Sequence, residues 1–238
     1  MASRQWRAAN GQLFKNIVIN TLIIVLAVGL LAGLLYCEKK EVLKAKLAVK
    51  TVLSSLFILS AVIQPHPIVP YYRFILLGLI FCLGGDVFLA LPRQKMFLYG
   101  LLSFLLGHLF YVGAFFYAVG INQGTVIGLV ISAMASGGVF LGLRPHLGAM
   151  KIPVIFYILV ITAMVVGACS TLAAGELALS GRMLVFSGAL SFYVSDVFVA
   201  RQRFLKTEFR NRLIGLPLYY SGQFMLAFSV GLLKPAVS

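Results

Sequence analysis

Residues 152–174 read IPVIFYILVITAMVVGACSTLAA and contain no charged side chain. A second uncharged stretch, residues 16–36, reads NIVINTLIIVLAVGLLAGLLY. Each is long enough to cross the hydrocarbon core of a bilayer as a helix, which requires about 20 predominantly apolar residues. Strands of a membrane barrel alternate apolar and polar side chains, whereas these stretches are apolar throughout. The sequence therefore predicts transmembrane α-helices.

The overall composition points to the same class of protein. Of the 238 residues, 61% are apolar and 11% are charged, and the mean hydropathy is +1.01. Soluble domains carry about 25% charged residues. Lipid can solvate this much apolar surface only if each spanning segment pairs its own backbone polar groups, as helices do. The predicted fold class is all-α, a polytopic membrane helix bundle.

Hydrophobic runs and the breaks between them predict eight spans, and the first run reads as a span rather than a cleaved signal peptide. No loop is long enough to hold a soluble domain, so residues 1–238 are expected to form a single integral membrane domain. The three cysteines are an odd number without metal-ligand spacing, and no disulfide framework is expected. The predicted spans are Ile17–Tyr36, Leu47–Ile63, Tyr71–Leu91, Met96–Val119, Thr125–Leu143, Ile152–Leu172, Met183–Ala200 and Ile214–Leu233.

The net charge of +14 comes mainly from loops on one side of the predicted membrane spans, and this distribution argues against a nucleic-acid-binding patch. Fourteen of the 20 Lys and Arg residues follow odd-numbered spans or lie at the start of span two. By the positive-inside rule that side faces the cytoplasm, and both termini face away from it. We expect a multi-pass protein of the inner membrane in a bacterium, or of an endoplasmic-reticulum-type membrane in a eukaryote. Anionic membrane lipids are expected near the basic loops, and no nucleic acid is expected as a partner.

Two of the six acidic residues, Asp86 and Asp196, lie inside predicted spans three and seven. A carboxyl group at membrane depth is costly, and it normally faces the bundle interior and marks a proton path, a ligand site or a catalytic site. The structural alternative is an interhelical hydrogen bond or an ion pair with Lys50. The other four acids lie in predicted loops and are expected to be solvated: Glu38, Glu41, Glu176 and Glu208.

The two aspartates occupy similar local sequences. Residues 85–90 read GDVFLA and residues 195–200 read SDVFVA, and each is followed by a basic segment, RQK (93–95) and RQR (201–203). Spans three and seven are four helices apart, so they run in the same direction. This similarity suggests a four-plus-four parallel internal repeat in which each half supplies one acid.

Other polar side chains fall at a similar depth, since each aspartate lies roughly 6–9 Å from the basic end of its helix at 1.5 Å per residue. Ser195 belongs to an i,i+4 row on span seven for which close helix packing is the alternative. His108 and Tyr111 lie deeper, where a hydrogen-bonded packing role is the alternative. The side chains at the aspartate level are Lys50, Tyr157, Tyr219, Tyr220 and, slightly deeper, Gln223.

These segments resemble the YhhN-like membrane proteins, the lysoplasmalogenase family. The resemblance rests on an ordered set of motifs from span three to span eight. Span two is less similar, because Lys50 is followed by Thr51 where the family often has proline. The matching motifs are GDVFL (85–89), FLLGHLFY (104–111), PVIFY (153–157), GALSFYVSD (188–196) and YYSGQ (219–223).

The resemblance implies hydrolysis of the vinyl ether bond of a lysophospholipid within the bilayer, without a cofactor or metal. The products would be a fatty aldehyde and a glycerophospho-ethanolamine or -choline. Asp86 and Asp196 would be acid and base in either order, by the two-carboxyl logic of glycoside hydrolysis. Lys50 would bind phosphate or tune an acid. Substrate or water would be oriented by Tyr157, Ser195, Tyr219, Tyr220, Gln223, His108 and Tyr111.

Two other classes of function also fit paired intramembrane acids. One is a small proton-coupled transporter, which a four-plus-four repeat would suit as well. The other is a non-catalytic protein that binds lysolipid. Release of aldehyde from a lysoplasmalogen distinguishes the enzyme from both.

Overall fold

The computed structural model describes residues 2–236, with side chains for residues 16–93 and 95–236. The described chain forms eight long α-helices and no β-strand, although one isolated bridge joins Leu177 to Pro235. The helices are α1 (Ala2–Lys40), α2 (Leu43–Ile63), α3 (Val69–Ala90), α4 (Gln94–Val119), α5 (Gln123–Leu143), α6 (Lys151–Ala173), α7 (Leu179–Ala200) and α8 (Phe209–Leu232).

All eight helices are long and apolar enough to cross a membrane. The predicted fold class, a polytopic membrane helix bundle of about eight spans, is confirmed. The largest differences from the predicted spans are at helix starts: α1 begins before Ile17, and α8 begins before Ile214. In α8 the added turn is polar, and it is secured by Asn211, whose amide donates to the Lys206 carbonyl at 2.7 Å. A prediction of spans from apolar runs does not include such a polar turn.

The helices pack in an order that repeats between the two halves of the chain. In the first half α1 contacts α2, α2 contacts α3 and α3 packs along α4. In the second half α5 contacts α6, α6 contacts α7 and α7 packs along α8. The halves meet where α4 contacts α6 and where α8 contacts α2. A parallel four-plus-four repeat predicts this order, and it brings the basic ends of α3 and α7 to the same end of the bundle.

Close packing of α7 on α8 depends on two glycines. A Cβ atom added to Gly222 would lie 2.8 Å from the carbonyl oxygen of Gly188 and 3.5 Å from Cβ of Ser191. Small residues at such a crossing let membrane helices approach closely. Ser191, four residues before Ser195 in the i,i+4 row of span seven, therefore lies at this close helix contact.

The expectation that Glu38 is solvated is wrong. Its side chain, in the last turn of α1, is only 7% exposed. Lys46 Nζ lies 3.2 Å from Glu38 Oε2, and Arg212 Nε lies 3.9 Å from the same oxygen. Glu38 is buried because α1 continues past the apolar run to Lys40, which places it against cations of α2 and α8.

Candidate active site

One cavity at the basic end of the bundle brings both membrane aspartates to the same space. Helices α2, α3, α4, α5, α6, α7 and α8 all contribute to its lining. Apolar side chains form most of the wall, among them Leu101, Phe104 and Ile158. The predicted site residues that border it are Lys50, Asp86, Tyr157, Ser195, Asp196 and Tyr219.

Asp86 on α3 is held by a cation and two hydroxyl groups. Lys50 Nζ lies 3.3 Å from Asp86 Oδ1, and both side chains are almost fully buried, with exposures of 4% for Lys50 and 2% for Asp86. The Ser54 and Tyr219 hydroxyls each donate to Asp86 Oδ2 at 2.6 Å. All three groups donate to the Asp86 carboxyl group, and Lys50 is the cation that lies against it.

A chain of hydrogen bonds supports Tyr219 from behind. The Gln223 side-chain amide donates to the Tyr219 oxygen at 3.3 Å, and the Tyr111 hydroxyl donates to Gln223 Oε1 at 2.7 Å. Tyr111, Gln223 and Tyr219 are all buried. This chain crosses from α4 to α8 and fixes the hydroxyl group that binds Asp86.

Asp196 on α7 has a different set of partners. The Tyr157 hydroxyl donates to Asp196 Oδ2 at 2.5 Å. His108 Nε2 lies 3.0 Å from the Tyr157 oxygen and 3.6 Å from Asp196 Oδ2. The other ring nitrogen, Nδ1, lies 3.2 Å from the Met164 sulfur. Asp196 is thus held by a tyrosine whose oxygen also shares a hydrogen bond with His108.

The Asp196 carboxyl group is more accessible from the cavity than the Asp86 carboxyl group. Its side chain is 18% exposed. Its Oδ1 atom has no hydrogen-bond partner among the described residues, while Oδ2 receives Tyr157. Neither Lys nor Arg pairs with Asp196 in the described part of the chain. One oxygen of Asp196 is therefore available to a group in the cavity.

Aromatic rings lie between the two aspartate clusters. The Phe192 ring packs edge to face on His108 and on Tyr219, with centroid separations of 4.5 and 5.1 Å. Phe104 packs in the same way on Phe192 and Tyr219. A Cβ atom on Gly85 would lie 2.6 Å from the Phe104 ring, so only glycine next to Asp86 leaves room for it. These rings keep the two hydrogen-bonded clusters apart.

The structure brings most of the predicted site residues together, in two layers. Six border the cavity, while His108, Tyr111 and Gln223 support them from behind. Tyr220 is the exception, since its buried hydroxyl has no hydrogen-bond partner within the described chain. Sequence reasoning missed Ser54, although its i,i+4 spacing from Lys50 places both on one face of α2. The ion pair between Lys50 and Asp86, named as the structural alternative, is present.

A buried charge-balanced carboxylate beside an accessible carboxyl group suits reactions that need a proton donor and electrostatic stabilisation of a cation. No group of three His, Cys, Asp and Glu side chains that could hold a metal ion occurs in the part of the chain that the structure describes.

Fold and site together define a polytopic helical membrane protein with two inequivalent carboxyl groups on one intramembrane cavity. The sequence model of the YhhN family matches residues 45–230. The chain belongs to this family, and the predicted resemblance is confirmed. The matched region runs from α2 to α8 and includes every residue of the site.

Curated relatives carry a functional name. A protein of Mycobacterium bovis named lysoplasmalogenase is 32% identical over 170 residues, which is 69% of this chain and 61% of that protein. A human protein named lysoplasmalogenase TMEM86A is 32% identical over 163 residues, 65% of this chain and 64% of that protein. The chain therefore spans less than two thirds of the length of these relatives. No solved structure matches the chain.

Proposed function

We propose that this protein is a hydrolase that cleaves the vinyl ether bond of lysoplasmalogens inside the membrane. The observation that carries the proposal is the pair of unequal carboxyl groups on one largely apolar cavity. Relatives named lysoplasmalogenase support the choice of substrate.

Asp196 is the proton donor in this proposal. Hydrolysis of a vinyl ether begins with a proton added to the alkene carbon that is not bonded to the ether oxygen, because the oxygen can then share the positive charge on its neighbouring carbon. The donor must reach the alkene, and Asp196 borders the cavity with an oxygen, Oδ1, that has no hydrogen-bond partner among the described residues. Tyr157 and His108 fix the carboxyl orientation through Oδ2.

Asp86 provides fixed negative charge. Lys50, Ser54 and Tyr219 already contact both of its oxygen atoms. Asp86 is therefore poorly placed to exchange a proton with the substrate. A preorganised carboxylate in a site that excludes water stabilises a developing oxocarbenium ion more strongly than it would in water. Lys50 in turn keeps Asp86 ionised at membrane depth, so we favour this role over direct phosphate binding by Lys50.

The steps balance without a cofactor. Protonation by Asp196 converts the alkenyl ether into an oxocarbenium ion and leaves Asp196 as a carboxylate. That carboxylate then takes a proton from the water molecule that attacks the oxocarbenium carbon, which gives a hemiacetal and restores the acid. The hemiacetal loses the glycerol oxygen as an alcohol and becomes the fatty aldehyde.

The wall of the cavity suits an alkenyl chain. Val139 and Leu143 of α5, together with Ile158 of α6, contribute apolar surface to its lining. An apolar chain placed there keeps bulk water from the oxocarbenium ion, which lengthens its lifetime for attack by one bound water molecule.

Aldehyde release tests the proposal. Purified protein in nanodiscs is incubated with a lysoplasmalogen, and with two matched lipids that have a saturated ether or an ester at the same position. We expect fatty aldehyde from the lysoplasmalogen alone. Uptake of the lipid into sealed vesicles without aldehyde would instead indicate a carrier, and binding without aldehyde or transport would indicate a lysolipid-binding protein.

A further inference from the structure

A second cavity adjoins the reaction cavity at the basic end of the bundle. Four of its lining residues, Leu89, Phe97, Gln202 and Arg212, also line the cavity that holds Asp86 and Asp196, which we call the reaction cavity. The two cavities therefore lie next to each other. Three arginines line it, Arg93, Arg203 and Arg212, and no acidic side chain of the described chain does. We call this space the arginine vestibule.

Two of the vestibule arginines contact side chains of other helices. Arg203 Cζ lies 4.5 Å from the centroid of the Phe97 ring, and this stacking fixes the plane of the guanidinium group. Arg212 is 27% exposed, and its Nε atom is 3.9 Å from Glu38 Oε2, an oxygen that Lys46 contacts more closely at 3.2 Å. The vestibule therefore carries more positive charge than its neighbours neutralise.

The wall between α7 and α8 is rigid. Residues 201–205 continue α7 as a π-helical turn, a distortion that is frequent at functional sites. Gln202 Oε1 accepts hydrogen bonds from the Glu208 backbone N–H at 3.0 Å and from the Asn211 side-chain amide at 2.8 Å. These bonds fix Gln202 and its neighbour Arg203 relative to the start of α8.

Two cations that neighbour the vestibule in the sequence, Lys206 and Arg201, pair with Glu208. Lys206 Nζ lies 2.6 Å from Glu208 Oε1, and Arg201 lies 3.2 Å from Glu208 Oε2. The hydrogen bond and charge of Lys206, together with Arg201, lower the pKa of the Glu208 carboxyl. Lys206 and Arg201 therefore have a local counterion, whereas no acidic side chain of the described residues lines the vestibule.

We propose that the arginine vestibule binds the phosphate group of the lysophospholipid headgroup and so sets the depth of the vinyl ether in the reaction cavity. This inference rests on the proposed function. Arginine guanidinium groups match phosphate in a bidentate geometry. Asp86 and Asp196 each lie four residues before the ends of their helices, about 6 Å along the axis at 1.5 Å per residue. The three carbons of glycerol are suited to that short distance between phosphate and vinyl ether.

Kinetics with two substrates test the assignment. The variants are Arg203→Gln and Arg93→Gln, with Arg201→Gln and Lys206→Gln as matched controls, and the substrates are a lysoplasmalogen and a 1-O-alkenylglycerol without phosphate. We expect the vestibule variants to raise KM for the lysoplasmalogen about tenfold, the loss typical of one charge-assisted hydrogen bond. Their kcat, and both constants for alkenylglycerol, should stay within twofold of wild type. Equal KM changes in the control variants, or a matching KM increase for alkenylglycerol, would overturn the assignment.

A binding measurement separates this inference from the proposed function. A lysophospholipid with a saturated 1-O-alkyl chain cannot be hydrolysed at a vinyl ether, and its affinity for the protein in nanodiscs does not require catalysis. Arg203→Gln should weaken its binding about tenfold, with thermal stability unchanged, even if no aldehyde is ever formed. Inorganic phosphate should compete only weakly. Binding of phosphate as tight as that of the lipid, or equal lipid affinity in wild type and Arg203→Gln, would overturn the headgroup site.

Discussion

The two halves of the bundle hold their aspartates in parallel ways. Asp86 on α3 is bound by the preceding helix, α2, and by the last helix of the other half, α8. Asp196 on α7 is bound by its own preceding helix, α6, and approached by the last helix of the other half, α4. In each half a tyrosine hydroxyl donates to the carboxyl group, and the tyrosine oxygen has a second hydrogen-bond partner, Gln223 for Tyr219 and His108 for Tyr157.

The halves differ in charge and access. Among the described residues Asp196 has no lysine partner like Lys50, and α6 supplies Tyr157 instead. Asp86 is 2% exposed and ion-paired, whereas Asp196 is 18% exposed and one of its oxygens accepts no hydrogen bond from the described residues. The same arrangement of four helices, present in both halves, therefore provides two carboxyl groups to which we assign different roles: a fixed charge and a proton donor.

Replacing Asp196 should have the largest effect on activity. Asp196→Asn preserves shape but cannot donate the proton, and a positioned general acid contributes about 10²–10⁴-fold to a rate. We expect kcat for aldehyde release to fall by that factor. Because no Lys or Arg of the described residues pairs with Asp196, the thermal midpoint in detergent should change little. A variant with more than a tenth of wild-type kcat would remove Asp196 from the mechanism.

The first half should respond in stability as well as activity. Asp86→Asn leaves Lys50 as an uncompensated buried charge, and breaking one side of a buried pair costs about 3–5 kcal/mol. Removing both charges in Lys50→Met with Asp86→Asn should restore most of that stability. Denaturation in mixed micelles measures the difference between the single and double variants.

The control for this stability experiment is aldehyde release by the double variant. The double variant should stay inactive, because the fixed negative charge beside the oxocarbenium ion is still missing. Recovered stability without recovered aldehyde release would separate the catalytic role of Asp86 from its structural role. An additive loss of stability in the double variant would show that the ion pair is not coupled.

The two supporting tyrosines should have smaller effects. Tyr157→Phe removes the hydrogen bond that orients Asp196, and a bond to a charged group is worth about 1.5–3 kcal/mol, or about 10–100-fold in rate. Tyr219→Phe leaves Lys50 and Ser54 on Asp86, so its effect should be smaller. Steady-state kinetics of the two variants measure the loss of kcat in each. A larger loss in Tyr219→Phe than in Tyr157→Phe would indicate that Asp86, rather than Asp196, is the proton donor.

Tyr220 should be nearly neutral and serves as a control for Tyr219. Its ring packs on Tyr219 with centroids 4.8 Å apart, but its buried hydroxyl has no partner in the described chain. Removing an unsatisfied hydroxyl group while keeping the ring is close to neutral or stabilising. We expect Tyr220→Phe to keep kcat within about threefold. A loss as large as that of Tyr219→Phe would show that Tyr220 orients substrate.

The sequence predicts the helices well because hydropathy alone governs which segments enter a bilayer. Asp86 and Asp196 were predictable for the same reason, since a carboxyl group in such a segment requires polar partners. The partners were harder to identify, because they depend on how each helix is rotated against its neighbours. His108, for which packing was an open alternative, contacts the Tyr157–Asp196 pair only because α4 crosses α6 at that level.

The inequality of the two aspartates was not predictable from their similar motifs. GDVFLA and SDVFVA give both residues the same depth and direction. The difference comes from other helices, since Lys50 and Ser54 lie on α2 while Tyr157 lies on α6. The burial of Glu38 could not be predicted either, because the cations that contact it lie on two other helices, α2 and α8.

Isotope incorporation tests the proton-donor role most directly. Lysoplasmalogen is hydrolysed in deuterium oxide, and the aldehyde is reduced at once to the alcohol and analysed by mass spectrometry. Protonation of the alkene carbon predicts one deuterium at carbon 2 of the product, formed by wild type and, at a rate lower by about 10²–10⁴-fold, by Asp196→Asn. Product without deuterium at carbon 2, or labelled product released equally fast by Asp196→Asn, would contradict the account.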